Sequence, residues 1–156
     1  MRLAEQHKIV FCIQPEDHNS AGVDGDSVSL ENYSHVTFIF VFGELTNNSV
    51  LKIYSGASAG TKTTAETFNY RACATDMGTS GGDLLAAETT SAALTLTAAT
   101  YEDRFIVVEM DADEFTDEQP FVTPEIDSTA TELFVACVAI LSKPRYAQNV
   151  PTTPLA

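Results

Sequence analysis

The stretch Tyr33 to Gly43, YSHVTFIFVFG, limits what this chain can fold into more than any other. Successive side chains of an extended chain point to opposite faces, so Val36, Phe38, Phe40 and Phe42 share one face while Thr37, Ile39 and Val41 share the other. Both faces are therefore apolar. From Val36 to Gly43 the run has no charge and no proline, and it is rich in β-branched and aromatic residues, which favours strand over helix. It is far shorter than the roughly 20 apolar residues of a bilayer-crossing helix. The expectation is a central strand buried inside a two-layer core.

The rest of the chain punctuates in the same way. Lys8 to Ile13 is a short apolar run closed by Pro15. The segment VDGDSVSLEN, with a turn signal at Asp24-Gly25, reads as a half-buried strand leading into the central one. Gly43, Asn47 and Asn48 then turn the chain into Val50 to Ser55, a returning strand. Ser55 to Thr64 is an exposed loop or hairpin tip. Thr67 to Cys73 alternates as a strand with one buried face, and Ala74 to Gly82 is a second loop, where flexibility is expected.

Alanine and leucine in LLAAE suggest a helix start, but the threonine alternation around Leu94 and Leu96 favours a strand from about Ala92 to Thr97. Phe105 to Met110 is another core strand. Pro120 and Pro124 confine the piece between them to a sheet edge or a bulge. Leu133 to Leu141, apolar on both faces, belongs near the middle of a sheet. The pattern predicts an all-β fold, a jelly-roll-like or Greek-key β-sandwich with extended termini. A single domain spans residues 1–142, followed by an extended tail over 143–156.

A formal net charge of −14, from 8 basic and 22 acidic residues, repels both the nucleic-acid backbone and anionic membrane surfaces. Direct nucleic-acid binding and membrane binding are not expected. Cys12, Cys73 and Cys137 are odd in number, far apart and without CxxC spacing, which argues for buried free thiols rather than disulfides or zinc. Glu5, Gln6 and His7 interrupt any apolar leader, so folding in a reducing cytoplasm is expected.

Candidate chemistry is sparse. Asp111, Asp113 and Asp117 in DADEFTDE offer hard oxygens for calcium, but Phe115 and Thr116 occupy the positions where an EF-hand loop needs a ligand and a glycine. A solvated acidic turn accounts for the run better. His18, near Glu16, Asp17 and Ser20, has no GxSxG elbow to serve. His35 and His7 carry no motif. Glu109 and Asp111 share one face of a strand, as a carboxylate pair for glycoside chemistry would, yet the chain has no tryptophan for a sugar platform. The glycines of SGASAG and TSGGD do not form a phosphate loop. No catalytic residue, cofactor or metal is expected. Lys143 and Arg145, with Pro144 and Tyr146 beside them, place two of the eight basic residues together after the last core strand. They form a docking element for an acidic partner surface, or a strand end that pairs with local carboxylates.

Taken in order, DSVSLENYSHVTFIFVFG, TFNYRA, FIVVEMDADEF and VACVAILSKPRYAQNVPTT resemble a group of small structural proteins of tailed bacteriophages and prophages. The matching positions are Ser29, Leu30, Asn32, Val36, Thr37 and Phe38, then Phe68, Tyr70 and Arg71. Val108, Glu109 and Asp111 follow, and the last are Ile140, Leu141, Pro144, Arg145 and Tyr146. The resemblance implies a virion component assembled in the host cytoplasm, a decoration or cement protein on the outer capsid surface. It implies the major capsid protein as partner and self-association, a homotrimer rather than a dimer by analogy with three-fold capsid positions. A tail, neck or fibre-base protein is the alternative, and a carbohydrate-binding sandwich a more distant one.

Overall fold

The computed structural model describes residues 3–18, 21–116 and 118–145. Twelve strands form two antiparallel sheets packed face to face as one β-sandwich. In chain order they are β1 (Lys8–Asp17), β2 (Val23–Asp24), β3 (Val28–Ser29), β4 (Tyr33–Leu45), β5 (Ser49–Gly56) and β6 (Thr64–Glu66). β7 (Phe68–Ala72), β8 (Thr89–Ser91), β9 (Leu94–Leu96), β10 (Phe105–Asp111), β11 (Phe121–Ser128) and β12 (Leu133–Pro144) follow. Among the described residues helix is confined to α1 (Leu3–Gln6), α2 (Ala98–Tyr101) and a 3-10 turn at Ala112–Glu114.

The first sheet runs β1-β12-β4-β10-β7-β8. The second runs β2-β11-β5-β6, with β3 also on β11 and β9 also on β5. First and last strands are neighbours, and the chain passes repeatedly from one sheet to the other, which is jelly-roll order. β5 is therefore not the hairpin partner of β4. The turn at residues 46–48 carries the chain across the sandwich instead, and β5 pairs with β11.

β4 is central, between β12 and β10. Val36, Phe38, Phe40 and Phe42 are completely buried and form an aromatic row, with ring centroids 6.1 Å apart for Phe38–Phe40 and 6.4 Å for Phe40–Phe42. Opposite them, the second sheet contributes Leu51, Ile53, Val122 and Ile126. Two hydroxyl pairs lie buried in that second sheet, Ser27–Thr123 at 2.6 Å and Ser49–Ser128 at 2.7 Å, so their polar atoms are satisfied.

Several expectations need correction. β1 does not stop before Pro15 but runs to Asp17, with register shifts on either side of Ile13. It is an edge strand, where irregular pairing and proline are tolerated. Pro124, in contrast, is not at an edge, because β11 is flanked by β5 on one side and by β2 and β3 on the other. Its carbonyl accepts from Gly25 at 2.8 Å, so its missing N–H falls where the partner strand is broken between β2 and β3. The LLAAE segment is not helical, and Leu94 and Leu96 are buried on β9 as the alternation implies. The Ala74–Gly82 loop is tied down: Arg104 donates to Asp76 and to the Ala74 carbonyl, both at 3.1 Å, and the Met77 N–H donates to the Asp103 carbonyl at 2.8 Å. β12 itself runs through Lys143 and Pro144.

Candidate functional site: the outer face of the first sheet

The two sheets treat their outer faces differently. On the second sheet, outward positions of β5 and β11 carry charge. Lys52 lies 3.9 Å from Glu125 and 3.8 Å from Asp127, and Lys62 pairs with Asp24 at 2.8 Å and with Glu125. Burial works to lower the Lys62 pKa, but hydrogen bonds to Asp24 and Glu125 and their charges outweigh it, and the ammonium is pushed up to about 12. This sheet is apolar inside and polar outside.

The first sheet breaks that rule. One outward row crosses four strands as Phe11, Val138, Ile39 and Val107, each residue being the register partner of the next. A second row is Ala136, Val41 and Phe105, and a third begins with Ile9 and Ile140 before turning polar at Thr37 and Glu109. Phe11 is 62% exposed, Phe134 43%, Ile9 39% and Val41 38%. The sequence placed β4 inside a core on both faces. The structure buries only the phenylalanine face and leaves Ile39 half-buried and Val41 exposed.

Each end of this face is polar. At the β12 C-terminus, His35 Nδ1 is 2.8 Å from Asp111 Oδ1, and Nε2 is 3.2 Å from the Thr37 hydroxyl and 3.7 Å from Glu109. The hydrogen bond from His35, with Lys143 at 3.5 Å adding its charge, holds the Asp111 carboxyl below its usual range. With its proton on Nδ1, the imidazole donates to Asp111 and accepts from Thr37, the hydroxyl–imidazole–carboxylate order of acyl-transfer enzymes. Thr37, however, is paired with Glu109 on one side and Ile140 on the other. The ladders take the backbone N–H groups around it, so no pair of them is free to hold an oxyanion. At the opposite end Glu44 crowds Glu132 and, with Asp17, raises its pKa.

The basic docking element is only partly in view. Lys143 sits at φ 51° and reaches Asp111, the local-carboxylate contact foreseen as one of its two uses. Pro144 is opposite Tyr33 in the last pair of the β12–β4 ladder, and the Arg145 N–H donates to the Asn32 carbonyl at 2.9 Å. Lys143 and Arg145 line a shallow concavity with Ser34, Asp111, Ala112 and Asp113. Tyr146 lies outside the described residues, as does Asp117.

Other candidates are dispersed. His18 Nε2 is bound to the Gln14 carbonyl at 3.0 Å and stands 4.0 Å from Glu16. Glu109 and Asp111 do share a face, but they flank His35 rather than an open cleft. Among the described residues no three His, Cys, Asp or Glu side chains are placed to hold a metal ion. All three cysteines are buried free thiols, and burial together with the adjacent Cys12 pushes the Cys137 thiol well up.

The grouping of His35 with Asp111 and Glu109 was missed from sequence, because His35 and Asp111, 76 residues apart, are joined only by the β4–β10 register. The available signal was the polar N-terminal end of β4 and the polar C-terminal end of β10, which antiparallel pairing brings together. A scan against family models and searches of curated proteins and solved structures found no match.

Proposed function

We propose that this chain is a structural protein of a bacteriophage virion, a decoration or cement protein on the outer surface of the head that helps neighbouring capsid subunits stay together. The observation that carries this reading is the contrast between the two outer faces. One is a network of ion pairs, while the other presents contiguous apolar side chains to solvent. Patches of that kind mark surfaces used in assembly.

The resemblance of the ordered segments to small phage structural proteins supplies the setting, and the major capsid protein is the proposed partner. Lys143, Pro144, Arg145 and Tyr146 are its contact, a basic point on a chain of net charge −14. Strong acidity suits the outside of a head rather than the side packed against DNA. Many modest contacts repeated over a lattice add up to a large resistance to expansion.

The test is to add the purified chain to expanded phage heads that lack it and image the mixture by cryo-electron microscopy. Regular density on the outer lattice is expected. Density confined to tail or neck would place the chain there, and bare heads would overturn the reading.

A further inference from the structure

We propose that the outer face of the β1-β12-β4-β10 layer is the surface through which two copies of this chain pair, face to face, about a two-fold axis. The pairing does not depend on the virion reading.

Charge is the first argument. At a net −14, two copies repel over most orientations. The rows built on Phe11, Val138, Ile39, Val107, Val41 and Phe105 form a region of this face without a formal charge, so apposing it with itself brings no like charges together at its centre. The ends choose the orientation. If the strands of the two copies ran parallel, Glu44, Glu132 and Asp17 of one copy would meet the same acids of the other. Glu132 is already raised by its own acidic neighbours. Antiparallel strands instead set those acids over the opposite end, where Lys143 and His35 are interleaved with Glu109 and Asp111, so that they meet cations as well as carboxylates rather than acids alone. A two-fold axis in the plane of the sheet and across the strands produces that arrangement.

Area is the second argument. Four strands about 4.8 Å apart, averaging roughly ten residues at about 3.3 Å, present about 600 Å² with their polar ends included. Two such faces bury about 1,200 Å² in total, the lower bound of a standard specific interface. Two layers of sheet packed in this way repeat outside the monomer the contact that forms its own core. Because the same face serves both copies, the contact closes at two. The count therefore differs from the trimer that analogy with three-fold capsid sites implies.

The experiment is sedimentation equilibrium of the full chain up to roughly 100 μM, a range that reveals even a weak interface of this size. The expected mass is twice 16.8 kDa. The double variant Phe11→Ser/Phe134→Ser removes the two most exposed large apolar side chains of the face and is expected to sediment as one chain with an unchanged far-ultraviolet spectrum. Phe11→Glu alone is the fallback if the double variant does not fold. Wild-type chain that stays at a single mass throughout would overturn the pairing, as would a dimer that both variants leave intact. A monomer that nonetheless decorates heads, and loses decoration on Phe11→Glu, would assign the face to the capsid. The pairing would then fail while the proposed function stood.

Discussion

Phe40 and Val41 are adjacent on β4, yet their truncation to alanine should differ several-fold in cost. Phe40 is fully buried between Phe38 and Phe42, with buried Cys137 and Ile106 opposite it on the flanking strands. A phenylalanine-to-alanine change at such a site costs about 3–5 kcal/mol through lost burial and the cavity left behind. That is a large share of the roughly 5–15 kcal/mol that holds a domain together. Val41 is 38% exposed. Its two methyl groups are worth at most about 0.8 kcal/mol each when fully buried, so Val41→Ala should cost about 1 kcal/mol or less. With a urea slope of about 2 kcal/mol per molar, the midpoint should fall by about 2 M for Phe40→Ala and by about 0.5 M or less for Val41→Ala. Equilibrium urea unfolding at low chain concentration, which keeps any pairing from contributing, measures both. Equal shifts, or a larger one for Val41, would refute the strand register, because a one-residue slip exchanges the two faces.

Two further outcomes follow from the site and the core. Cys12, Cys73 and Cys137 should be silent toward an aromatic disulfide reagent in the native protein and all react in denaturant; a native thiol that reacts promptly would contradict their burial. The Asp111 carboxyl is held below its ordinary value of 3.8, so the stability it contributes is present above that value and lost as pH falls through its lower folded value. The group is half-exposed, and screening limits the contribution to at most about 1 kcal/mol. Wild type should exceed Asp111→Asn by that margin near neutrality, with the gap closing as pH falls below the ordinary carboxyl value of 3.8, and a gap independent of pH would remove His35 and Lys143 as its source.

The longer strands were legible because each carries an alternating or continuously apolar run, whereas the three-residue strands β6 and β8 carry neither. The row Val36, Phe38, Phe40 and Phe42 is buried as a unit, and Leu94 and Leu96 fixed a strand where alanine content suggested helix. What the sequence concealed was pairing. Gly43, Asn47 and Asn48 specify a turn but not whether it closes a hairpin or crosses a sandwich, and here it crosses. Pro124 reads as an edge residue until the partner strand proves to be broken opposite it. The His35, Thr37, Glu109 and Asp111 cluster is a product of register alone, and no local pattern announces it.

The apolar outward residues of β4 and β12 show where a sound local inference needs a global limit. A strand with two apolar faces needs cover on both, and that is the ordinary pattern of a sheet sandwiched between two other layers. A two-layer sandwich has only one inside per sheet, so it can cover the phenylalanine face and no more. The second sheet satisfies this geometry with Lys52, Lys62, Glu125 and Asp127 facing water. The first sheet places Ile39, Val41, Val138 and Phe134 there instead. Their apolarity does nothing for a monomer that a lysine or threonine would not do better for solubility, since exposed strand positions tolerate polar side chains. The pattern therefore describes a third layer that the described residues do not supply, and the outward face of Tyr33 to Gly43 is the part of the strand that the sandwich leaves uncovered.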